Sequence, residues 1–101
     1  MSVTVGEIVK VLNIWAPLSL KESWDNPGLL IGNPDETVDK VLVTLDVMMD
    51  NVDYAIEQGV KLIVSHHPVI FHPLKSLLPG SAPYLLAQYG VAAICAHTNL
   101  D

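Results

Sequence analysis

The chain has 101 residues, half of them hydrophobic and 16% charged, with a formal net charge of -6 from five lysines and no arginine. That size fits one domain around one modest core, and the apolar content excludes a disordered chain. An acidic balance without clustered Lys or Arg argues against both a nucleic-acid footprint and a polybasic membrane patch. A mean hydropathy of +0.40 is high for so small a chain. Either its strands are buried on both faces, or apolar surface that normally meets other protein lies uncovered. Residues 1–7 lack a basic n-region and an apolar h-region, so no signal peptide is expected. No apolar stretch is long enough to span a bilayer. The single Cys95 excludes an internal disulfide, and a cytoplasmic location is the natural expectation.

In chain order, Thr4 and Glu7 form a capping-box pair ahead of Ile8, Val11, Leu12 and Trp15, which fall on one helical face until Pro17 stops the run. Residues 17–37 are punctuated by Pro17, Pro27, Gly28, Gly32 and Pro34 and read as irregular, with a short strand over Leu29, Leu30 and Ile31. A β-rich run over residues 41–45 ends at Asp46. A helix follows over about residues 48–58, with Val52, Ala55 and Ile56 inward and Gly59 as its cap. Residues 60–64 form the next strand. After a proline-rich loop, Ser81 caps a helix to Tyr89, Gly90 closes it, and residues 91–96 form the last strand. This alternation predicts one α/β domain over residues 1–101: three layers, a mainly parallel sheet, and helices on both faces.

Strand C-termini of a parallel sheet share one edge, and ligands bind outside that edge. Asp46, the pair His66 and His67, and His97 with Asp101 all follow predicted strand ends. Three remote segments thus deliver ionisable groups to one rim. Neutral imidazole is the commonest protein metal ligand. Adjacent residues on a strand point to opposite faces, so His66 and His67 diverge at the strand end towards two ions, or one ion and a substrate. Pro68 keeps His67 extended. Asp101 offers a hard anionic ligand, and His97 is read as orienting a ligand or contacting substrate. The absence of a cysteine cluster argues against a structural zinc site. Zn, Fe, Mn, Co and Ni all remain open.

Each residue also has a plainer reading. The paired histidines suit a turn facing solvent, and Asp101 suits a helix N-cap. Asp46 reads first as an N-cap of the following helix, although its place also suits a substrate contact. His72 reads as a loop residue, Cys95 as a core thiol, and Trp15 and Trp24 as core anchors. The acidic residues between Asp35 and Asp39 read as a solvated loop.

Four motifs together are highly specific: Trp24-Asp25-Asn26-Pro27-Gly28-Leu29; Thr44-Leu45-Asp46; Ser65-His66-His67-Pro68 with Ile70-Phe71; and His97-Thr98-Asn99-Leu100-Asp101. In this order they resemble the Nif-three-like family of dinuclear metal proteins, which carries the label GTP cyclohydrolase I type 2 homologue. The resemblance implies two divalent ions per complete subunit, with His66 and His67 as ligands to different ions and Asp101 as a further ligand. It implies a toroidal homohexamer for the full-length protein. Family members continue past this length, and a His and a Glu near their C-terminus complete the site. The chain is therefore expected to be the N-terminal portion of a longer member. The leading expectation is a metal-dependent hydrolase-like enzyme acting on a small molecule such as a nucleotide, with His97 as its catalytic residue. Its rival is a non-catalytic adaptor or regulatory protein with a structural or vestigial metal site.

Overall fold

A computed structural model describes residues 3–70 and 74–99. The Thr4 hydroxyl accepts from the Glu7 N–H, and the Glu7 carboxylate accepts from the Thr4 N–H, each at 3.1 Å. This capping box ends β1 (Val3–Thr4) and launches α1 (Val5–Trp15). Pro17 stops α1, and a single 3-10 turn, Leu18–Leu20, leads towards β2 (Gly28–Ile31) and β3 (Thr37–Val38). The regular half then runs β4 (Val41–Thr44), α2 (Met49–Gln58), β5 (Leu62–Ser65), α3 (Ala82–Gln88) and β6 (Ala92–Cys95). Gly59 takes the left-handed conformation at φ 70 that closes α2.

The main sheet has the order β2-β6-β5-β4, and a two-stranded ribbon of β1 and β3 stands apart from it. Strands β4, β5 and β6 are parallel, while β2 runs antiparallel to β6. Successive crossovers step across the sheet in one direction. They place α2 and α3 together on one face, where Val52, Ala55 and Leu86 pack with Ile63 and Ala93. On the other face α1 brings Val5, Ile8, Val9 and Leu12 against Leu62, Ala92 and Ile94. Side chains of β5 and β6 thus alternate between two cores, which is why both strands read as unbroken apolar runs. The chain is an α/β domain of three layers. No helix among the described residues is long and apolar enough to cross a membrane.

Two expectations need correction. The core-facing stripe of α1 is the buried Val5 with the partly buried Ile8, Val9 and Leu12, whereas Val11 and Trp15 are exposed, Trp15 at 74%. The helix is turned because it covers β5, β6 and β2 and leaves the outer face of β4 open, where Val43 is 75% exposed. Nor is Trp24 a core anchor; it is 58% exposed. His72, read from sequence as a loop residue, lies outside the described residues.

Candidate metal centre

The parallel ladder continues past the end of β5. His66 N–H donates to Thr44 O at 3.3 Å and His67 N–H to Leu45 O at 2.9 Å. The carbonyls of the same two residues are held as well. Ser65 Oγ donates to His67 O at 2.8 Å and Cys95 Sγ to His66 O at 3.2 Å. The dipeptide is therefore latched to both neighbouring strands. Beyond the pleat its rings no longer alternate between faces. Their centroids lie 5.2 Å apart with planes tilted by 42°.

His97 leaves the end of β6 at the same rim, with ring centroids 4.8 Å from His66 and 5.4 Å from His67. One ring nitrogen from each of the three histidines lies within 4.8 Å of the others. Each Nδ1 is already committed. His66 Nδ1 donates to Ala96 O at 2.8 Å, His67 Nδ1 to Asp46 Oδ1 at 2.5 Å, and His97 Nδ1 to Asp25 Oδ1 at 2.9 Å. A carbonyl or carboxylate can only accept, so these Nδ1 atoms carry the protons. The three Nε2 atoms keep their lone pairs. Imidazoles oriented in this way by a carboxylate or carbonyl are the usual form of a histidine metal ligand. The donor set fits a borderline divalent ion of the Zn, Fe, Mn, Co or Ni kind.

Asp25 is the member that the sequence motifs did not single out for a role. Because β2 is antiparallel, the residues just before it lie at the rim where β6 ends, and Gly28 pairs with Cys95. The Asp25 carboxylate is buried and accepts from His97 Nδ1, Thr98 N, Thr98 Oγ1 and Asn26 N. Burial by itself pushes its pKa up. The hydrogen bonds from His97, Thr98 and Asn26 outweigh that and hold the carboxyl well below the usual carboxylate range. Asn99 is the next support. Its Oδ1 accepts from His97 N at 2.9 Å, and its Nδ2 donates to Ala16 O at 2.7 Å, fixing the loop after β6 to the end of α1. The signal that finds Asp25 is its place ahead of Pro27-Gly28. A search restricted to strand C-termini passes over it.

Asp46 is not an N-cap. Met48 occupies that place, with its N–H donated to Asn51 Oδ1 at 2.8 Å, which leaves Asp46 free to orient His67. His97, read from sequence as a residue that orients a ligand or touches substrate, stands in one group with His66 and His67. Asp101 lies outside the described residues. Cys95 is a buried thiol, pushed up to about 12 by burial and then by the charge of Asp25.

The profile of the Duf34/NIF3 (NGG1p interacting factor 3) family matches residues 3–101. A Clostridium acetobutylicum protein named GTP cyclohydrolase 1 type 2 homolog is 35% identical over 105 residues, covering 100% of this chain and 39% of that protein. A Staphylococcus epidermidis protein of the same name is 42% identical over 100 residues, covering 96% of this chain and 27% of its own length. The crystal structure of the Staphylococcus aureus protein SA1388 superposes with a TM-score of 0.92 at 40% identity, over 98% of this chain and 33% of that one. The chain thus spans under two fifths of the length of these relatives.

Proposed function

From the premise that the chain belongs to the Duf34/NIF3 family, we propose that it supplies one wall of a dinuclear, metal-dependent hydrolytic site. The observation that carries this reading is the grouping of three histidines at one rim with every Nδ1 committed to a carbonyl or carboxylate, which leaves the Nε2 of each ring as its available donor. His66 and His67 hold the ions, with Asp101 as a further ligand. Two divalent ions bound there supply an activated water and offset charge in a hydrolytic transition state. His97 acts on the substrate. Its Nε2 accepts or returns a proton, and the buried Asp25 carboxylate stabilises the imidazolium that results. The names of the relatives favour a nucleotide or a similar small molecule as substrate. In this reading the complete site belongs to a longer polypeptide that assembles as a ring-shaped homohexamer.

The test is metal uptake. Zinc titrated calorimetrically into the chain is expected to bind at one equivalent or more, and the double variant His66→Ala with His67→Ala to bind none. Uptake below one equivalent, or equal uptake by the variant, sinks the proposal.

A second reading has its own observation. Trp15, Val43 and Leu45 are exposed apolar side chains, and Trp15 lines one surface cleft with Val43 on the open face of β4, as in a protein that binds partners or its own copies. Turnover separates the two. An adaptor leaves every nucleotide of a panel intact while retaining its partner in the double histidine variant.

A further inference from the structure

Trp24 is a large aromatic residue left 58% exposed on a loop that the structure otherwise ties down tightly. Glu22 N donates to Thr98 Oγ1 at 2.9 Å, Asp25 N to Glu22 O at 3.1 Å, and Asn26 Nδ2 to Ile70 O at 2.6 Å. With the Asp25 carboxylate bound to His97 and Thr98, the backbone on both sides of Trp24 is fixed to the histidine rim. The indole borders an open cleft of about 810 Å³ lined by Leu20, Glu22, Trp24, His97, Thr98 and Asn99. Its ring centroid lies 6.1 Å from that of His97, with the planes at 79°.

We propose that Trp24 is a binding residue, the surface on which a flat heteroaromatic ring of the substrate stacks beside His97. The inference rests on the reading of the histidine rim as the reacting site and adds the substrate class, a small molecule carrying a planar ring. A ring lying flat on the indole stands nearly perpendicular to the imidazole, so it cannot slide onto His97 and cover Nε2. The polar remainder of the molecule then reaches past Thr98 and His97 to the rim. Because the loop is anchored before any ligand arrives, little ordering cost falls on binding. Stacking on an exposed indole tolerates many rings, since each has a π face. Trp24 therefore selects for planarity rather than for one base.

The chain holds two tryptophans, so Trp15→Phe leaves the Trp24 indole as the sole source of tryptophan fluorescence, read with excitation at the red edge where tyrosine does not absorb. Guanosine 5′-monophosphate is expected to quench it saturably, with and without zinc. Ribose 5-phosphate, which has the sugar and phosphate but no ring, is expected to leave it unchanged. Trp24→Leu keeps apolar bulk without a π face and is expected to weaken calorimetric nucleotide binding by about fivefold or more, with zinc uptake and circular dichroism unaltered. Trp24→Phe is expected to restore most of the affinity. Absence of saturable quenching whether or not zinc is bound overturns the proposal, as does equal quenching by ribose 5-phosphate or undiminished binding by Trp24→Leu. Quenching that persists in a chain that takes up no zinc supports the stacking surface while removing the metal reading.

Discussion

Two of the three imidazoles are oriented by carboxylates, and the two carboxylates differ in how firmly they hold. The Asp25 side chain is wholly buried and accepts four hydrogen bonds, while the Asp46 side chain is 49% exposed and orients His67 alone. Asp25→Asn replaces an acceptor-only group by an amide that must place two N–H donors among those same partners. It is expected to cost about 1–3 kcal/mol in denaturant unfolding. Asp46→Asn is expected to cost under about 1 kcal/mol yet to weaken zinc binding about tenfold, because His67 loses its orientation. The depressed pKa of Asp25 fixes a direction for pH as well. Its ordinary value is 3.8 and its folded value is lower, so the unfolded chain takes up the proton first. The contribution is complete above 3.8 and is lost as pH falls through the folded value. The unfolding midpoint should therefore drop more steeply in acid for the parent chain than for Asp25→Asn, and parallel curves would refute the assignment. At the alkaline end Cys95 rises from 9.0 to about 12. The folded chain holds the neutral thiol while the unfolded one ionises, and this contribution declines between those values. Iodoacetamide at pH 8 is accordingly expected to label Cys95 only after denaturation.

The elements were legible where their signals are local. The Thr4 and Glu7 pair, the cap at Gly59 and the apolar runs of β5 and β6 each lie within a few residues, and each forms as its pattern predicts. The direction of β2 was not legible, because four residues bounded by glycines carry no mark of which neighbour they join. That direction sets Asp25 at the rim, so the orienting partner of His97 stayed hidden with it. The close approach that β2 makes is testable. Gly32 has φ +115, and a Cβ there would stand 2.6 Å from Ala92 Cβ and 2.9 Å from Ala92 Cα. Neither atom can swing aside, because both belong to a central strand. Gly32→Ala is expected to lose about 2–4 kcal/mol, from strain and overpacking together. Gly90 has φ +69 with nothing within 4 Å, and Gly90→Ala should lose only about 1 kcal/mol. Equal losses at the two positions in urea melts would show that the contact with Ala92 relaxes.

At the scale of the whole molecule the high hydropathy is divided between strands buried on both faces and apolar side chains that stand exposed. Leu62, Ile63, Ala92 and Ala93 are buried between the layers, while Val43 and Trp15 lie in the open. The rim gathers residues from the ends of three strands: Asp46 follows β4, His66 and His67 follow β5, and His97 follows β6. In the proposed reading ions held by His66 and His67 secure the end of β5, and through the contact of His67 with Asp46 the end of β4, and the unfolded chain offers no such cluster. By mass action a ligand at about a hundred times its dissociation constant stabilises the native state by about 2.7 kcal/mol. For a domain of this size that corresponds to a rise in Tm of roughly 10–20 °C. Zinc in excess should raise the melting midpoint on that scale, a chelator should reverse it, and the double variant His66→Ala with His67→Ala should not respond. Trp24→Leu should respond as the parent does, because the indole serves the substrate and not the ion. A parent chain whose midpoint moves by less than about 2 °C at saturating zinc, or a double variant that moves equally, would mean that the paired imidazoles of His66 and His67 do not hold the ion.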